Sequence, residues 1–189
     1  MKKLISLILT LAMLVSVFAL FPATVLAADE KLVIGTTASL SGTTVVDSGG
    51  NVASDTGIGW TYASNTNTLT ISFGFIGDIT VNTLGTLNLA VSGTVTTGGS
   101  ITMAAGDTVN ITSGTLTCDN INGDGDVAIT GCSVSTTKGI LADDITITNA
   151  FIITNGDIAA TGNVTINSGT VSTPVNITGT AVNITGGFM

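Results

Sequence analysis

Arginine and histidine are absent from this chain of 189 residues, and lysine occurs four times. Lys2 and Lys3 open the sequence, so the rest keeps only Lys31 and Lys138 against twelve acidic residues. A chain starting at Ala28 would carry a net charge of 2 − 12 = −10. Such a surface repels a phosphate backbone, which argues against a nucleic-acid partner. The lack of arginine also removes the usual base or charge stabiliser of a polysaccharide lyase, and neither Lys31 nor Lys138 sits in an acidic cluster. Two carboxylates alone can hydrolyse a glycoside, and Asp124, Asp126, Asp143 and Asp144 could supply them. Nothing beyond proximity supports that chemistry, so the chain is read as a non-enzyme.

Charged residues are only 8 % of the chain, and what remains is rich in Thr, Gly, Asn, Val, Ile and Ser. Thr, Val and Ile favour strands, whereas Gly, Asn and Asp favour turns. A disordered chain would lack this many β-branched apolar residues.

The first residues read as a targeting segment. Lys2 and Lys3 precede an apolar run from Leu4 to Phe21, Pro22 breaks it, and Val25-Leu26-Ala27 offers the small residues of a cleavage site. The expected cut after Ala27 leaves 189 − 27 = 162 residues in an oxidising, extracellular or cell-surface setting. An uncleaved anchor is the competing reading, since the run is long enough to span a bilayer. No Cys lies near the cut to carry a lipid.

An internal repeat decides the fold class. Val109-Asn110-Ile111-Thr112 returns as Val127-Ala128-Ile129-Thr130, Ile145-Thr146-Ile147-Thr148, Val164-Thr165-Ile166-Asn167 and Val182-Asn183-Ile184-Thr185, at steps of 18 or 19. Earlier copies start at Leu69 and Leu87, and the step of 22 from Leu87 to Val109 implies an insertion of about four residues. Positions one and three are aliphatic and positions two and four polar or small, the alternation of a strand with one buried face. Small residues at position six (Gly114, Cys132, Ala150, Gly169, Gly187) suit a bend. An aliphatic residue returns at position eight, and Ile121, Ile140, Ile158 and Ile177 recur near position fourteen. Three short strands and three turns per repeat predict an all-β parallel β-helix, or β-solenoid, with triangular coils of about 18 residues. Left-handed hexapeptide helices share that coil length but demand an aliphatic residue every six positions. The slippage here favours the right-handed form. The expected organisation is a signal peptide over 1–27, an N-terminal segment and cap over 28–68, and coils over 69–189, the last incomplete. An uncapped coil at Met189 would invite end-to-end self-association, unless the chain is a fragment or a partner covers that end.

The run Gly59-Trp60-Thr61-Tyr62, the strand Thr68-Leu69-Thr70-Ile71 and coils such as Asn163-Val164-Thr165-Ile166-Asn167-Ser168-Gly169 resemble secreted bacterial cell-surface β-helix proteins of the carbohydrate-binding-domain type. The resemblance runs from about Gly57 onward and implies binding of acidic or plant-type polysaccharide, sometimes with Ca²⁺. The chain departs from that family in stopping at Met189, where further coils would be usual.

Four groups of residues are candidates for function. Asp126, Asp144 and Asn163 each precede position one and should stack, with Asp124 and Asp143 beside them. Asp124, Asp126, Asp143 and Asp144 could then coordinate Ca²⁺, or the Asp and Asn side chains could satisfy turn backbone. Trp60 and Tyr62 share a strand face and are either a ligand platform or an aromatic lid on the core. Positions two and four form a Thr-rich face like that of ice-binding solenoids, interrupted by Ala128 and Asn. Cys118 and Cys132 fall at positions ten and six of neighbouring coils, bridged or free. The leading expectation is a secreted, non-catalytic adhesin-like protein binding extracellular polysaccharide or cell-wall glycan. A structural rod is the alternative, and ice binding a remote one.

Overall fold

In the computed structural model, the inward positions of each repeat lie on strands that stack in parallel from coil to coil. The structure describes residues 30–35, 44–46, 54–57, 59–73, 75, 77–82 and 84–187. These form twenty strands and, among the described residues, no helix. The leader and its cut after Ala27 lie outside them.

Five coils, from Thr86 to Thr178, each contribute to three ladders. The first face carries Thr68–Ile71, Thr86–Val91, Thr108–Ile111, Asp126–Thr130, Ile145–Thr148, Asn163–Ile166 and Ala181–Ile184. Its inward columns run Leu87, Val109, Val127, Ile145, Val164, Val182 and Leu89, Ile111, Ile129, Ile147, Ile166, Ile184. The second face stacks Val95, Leu116, Val134, Ile152 and Val171. The third stacks Leu32 and then Ile79, Ile101, Ile121, Ile140, Ile158 and Ile177. As far as Val171 these side chains form one continuous core, with Ile177 partly buried against it, whereas Val182 and Ile184 on the last strand are exposed. A lone coil could not bury them; stacking at the ordinary strand spacing of about 4.8 Å does. The fold is a β-solenoid, as the repeat implies.

The bend between the first two faces falls at positions five and six. Gly131 and Asn149 take positive φ there, +65° and +52°. Gly114 is also left-handed at +71°, and a Cβ on it would run into the carbonyl oxygen of Val91. Only glycine fits a backbone packed that closely on the coil below.

Two expectations need correction. Leu69 stacks on Leu89, not on Leu87. Thr86–Val91 is six residues long with three inward side chains, Leu87, Leu89 and Val91. A shift of two residues leaves every side chain on its face, so alternation cannot distinguish the two registers. The solenoid also starts before Leu69, because Glu30–Gly35 pairs in parallel with Gly77–Asn82. Ser54–Gly57 and Trp60–Ala63 form an antiparallel hairpin that continues onto Thr68–Ile71.

Candidate functional site

The acidic corner lies where the third face turns into the first. Asp126 Oδ1 accepts the backbone N–H of Asp144 at 3.1 Å, and Asp144 Oδ1 accepts that of Asn163 at 2.6 Å. Asp143 Oδ1 accepts the Thr161 hydroxyl at 2.6 Å. Each bond joins one coil to the next. The same device recurs at this corner one coil earlier, where Asp107 accepts Gly85 N–H at 2.7 Å, and elsewhere in the solenoid, where Asp78 accepts Ser100 N–H at 2.8 Å and Asp157 accepts Asn176 N–H at 3.0 Å. These carboxylates satisfy backbone donors that each turn leaves without a ladder partner. Among the described residues no three of His, Cys, Asp and Glu come together in a way that could hold a metal ion. Of the four carboxylates Asp124, Asp126, Asp143 and Asp144, the structure links Asp126 to Asp144 and Asp144 to Asn163 through backbone N–H groups, and Asp143 to Thr161 through its hydroxyl.

Asp119 latches differently, through an ion pair of 2.6 Å with Lys138 Nζ and a bond from the Thr137 hydroxyl. The Lys138 bond first, and the Thr137 bond second, hold its carboxyl below the ordinary 3.8. A lowered carboxyl favours the fold above its ordinary value and loses that contribution as pH falls through the lowered one. The pair is solvent-exposed, so its effect on stability is small. Lys138→Met should return the Asp119 titration midpoint upward in a carboxyl-carbon NMR titration; an unmoved midpoint would contradict this assignment.

Beside the acidic corner, the third face dips where Ala159 and Ala160 are small. The groove holds about 360 Å³ and is lined by Asn122, Asp124, Leu141 and Thr161 as well as the alanines.

Trp60 and Tyr62 are 3 % and 1 % exposed. They pair with Ile71 and Leu69 and continue those columns into the end of the core. Tyr62 keeps its hydroxyl bonded to Asn67 Oδ1 at 3.2 Å. Neither ring has a face open for stacking a ligand, so the ligand-platform reading gives way to the lid.

Cys118 and Cys132 are free and buried. Cys132 stacks with Gly114 and Ala150 at the bend, as its position-six neighbours suggest. Cys118 belongs to an inward column missed by the sequence reading: Thr97, Cys118, Thr136 and Thr154, all buried at the corner between the second and third faces. Thr97 and Thr154 turn their hydroxyls onto the carbonyls of Gly99 and Gly156, two residues on. Burial, with Asp119 adding to it, pushes the Cys118 thiol up to about 12. Native protein at pH 8 should therefore leave Cys118 unalkylated by iodoacetamide while denatured protein is labelled. Rapid labelling of Cys118 in the native state would contradict its placement.

A surface feature also escaped the sequence reading. Outward positions of the second face form two columns, Thr94, Thr115, Ser133, Phe151, Thr170 and Thr96, Thr117, Ser135, Ile153, Ser172. Eight of the ten carry hydroxyls, and Phe151 and Ile153 stand among them 46 % and 39 % exposed. Phe73 is more exposed but lies in the turn after Ile71. The signal was available: Phe151-Ile152-Ile153 puts three large apolar residues in succession on an alternating strand, so with Ile152 in the inward row of position eight the other two face out. This face is more regular in hydroxyls than the Thr-rich first face, where Ala128 and Asn110 interrupt the outward rows.

No family model matches this chain, and no curated protein and no solved structure matches it either.

Proposed function

We propose that the chain is a secreted, non-catalytic surface module that binds extracellular polysaccharide on the outward side of its second face. The observation that carries this reading is the Phe151–Ile153 pair set among strand-borne hydroxyls. An exposed apolar pair on an otherwise polar face marks an interaction site. A pyranose presents an apolar C–H side, which suits an aromatic ring, and equatorial hydroxyls, which suit Ser and Thr. Secretion rests on the leader read in residues 1–27. The non-catalytic reading rests on the acidic side chains: among the described residues Asp78, Asp107, Asp126, Asp144 and Asp157 each hold a backbone donor.

The test is retention of the purified protein on insoluble cell-wall and plant polysaccharides, beside Phe151→Ala. Retention lost in the variant supports the reading; equal retention or none at all overturns it. Binding should also be unchanged by a chelator, because none of the ten outward positions of the second face is a carboxylate. Retention that requires Ca²⁺ would restore the corner as the binding element.

A structural rod is the second reading, favoured by the carboxylate latches and the unbroken Ile column. It needs no glycan. End-to-end association would make the mean mass rise with concentration in sedimentation, whereas a lateral binder stays at one mass.

A further inference from the structure

We infer that the glycan taken by the second face is an uncharged, β-1,4-linked pyranose chain lying along the solenoid axis, across the strands. This rests on the polysaccharide reading above and narrows it to one ligand class.

Direction comes from the columns. Each strand of the face offers two outward side chains before the corner, roughly 7 Å apart. A polymer lying along a strand would leave the face almost at once. Along the axis it meets five rungs, Thr94, Thr115, Ser133, Phe151 and Thr170, with a second column beside them. Those rungs repeat at about 4.8 Å and span about 19 Å. The ligand must therefore be straight and repeat near one unit per rung. Extended β-1,4-linked pyranose chains do so and keep their rings flat. α-1,4-linked chains of the same sugar curl away.

Hydroxyl availability is a separate observation. Among the described residues, Thr94, Thr96, Thr115, Thr117, Ser133, Ser135, Thr170 and Ser172 have no side-chain partner within the chain. Elsewhere such groups are used: Asn110 Nδ2 donates to Asn88 at 3.3 Å and Asn167 Nδ2 to the Thr148 hydroxyl at 3.1 Å on the first face. The second face keeps its donors and acceptors for solvent or ligand, and Ser133 and Thr170 flank Phe151 on the adjacent rungs.

Charge selects against uronates. None of the ten outward positions is ionisable, and the corner toward the third face carries Asp119 and Asp157. Among the described residues the one nearby cation, Lys138, is held by Asp119. With a formal net charge of −8 over the whole chain, a polyanion is repelled. This departs from the acidic polysaccharide that the family resemblance implies.

The experiment is isothermal titration of the full chain with cello-oligosaccharides and chito-oligosaccharides of increasing length, malto-oligosaccharides, and polygalacturonate at low salt. Affinity for a β-1,4 series should rise with length to about five rings, one per rung, and then level off. The cello and chito series tell apart the two sources of such a chain, plant glucan and amino-sugar wall polymer. Thr115→Val/Thr117→Val, which keeps side-chain shape, should end the rise at shorter oligomers. The malto series should bind at least tenfold more weakly and polygalacturonate not at all. Phe151-dependent binding of maltose oligomers or polygalacturonate in preference to both β-1,4 series would overturn the ligand class and leave the face as a glycan site. No heat with any glycan would overturn both.

Discussion

Ile140→Ala should lower the unfolding free energy by about 2–5 kcal/mol, the range for deleting a buried aliphatic side chain and leaving a cavity. Ile140 has no exposed surface and stacks between Ile121 and Ile158 in the third-face column. In a solenoid each coil touches only its neighbours, so the deletion weakens two interfaces at once. Neighbouring backbone cannot collapse into the gap, because the ladders on either side fix the coil spacing. Ile177→Ala, in the same column but only partly buried, should cost clearly less. Chemical denaturation followed by circular dichroism measures both. Equal, small losses would mean that the column does not carry the stacking energy.

Phe151→Ala should weaken glycan binding by roughly thirtyfold or more, equivalent to about 2 kcal/mol for an aromatic anchor. The side chain points outward from a strand whose inward positions, Ala150, Ile152 and Thr154, are buried. Its removal should therefore shift stability by no more than about 0.5 kcal/mol. That separation distinguishes a binding residue from a structural one. A parallel loss of stability would assign Phe151 to packing, and retained affinity would remove it from the site. Phe151→Trp, which enlarges the ring, should keep or strengthen binding.

Most of the fold is written in the repeat, because stacking forces like residues into columns. The Val109 to Val182 series and the Ile121 to Ile177 series give the register of two faces without any structural information. The first coils are less legible. Leu69 could pair with Leu87 or Leu89 at no change of facing, and the hairpin partner of Thr68–Ile71 is not visible in alternation. The extra residues of the coil from Leu87 to Val109 are shared between corners, including the turn Ala104 to Asp107, and do not form one insertion.

The site was harder to read than the fold. Asp126 and Asp144 do stack, but sequence gives no view of the N–H groups they satisfy. Trp60 and Tyr62 look like a platform in composition and lie inside because their strand continues two core columns. Phe151 and Ile153 were legible as a break in alternation. The aliphatic residue at position eight marks the inward row alone, not the outward neighbours on either side.

The most direct measurement is methyl NMR of isoleucine- and leucine-labelled protein titrated with cellohexaose. The Ile153 methyl should shift in a saturable way while Leu141, in the groove beside the acidic corner, stays in place. A shift at Leu141 with Ile153 unmoved would place the ligand on the third face and contradict the assignment of the second.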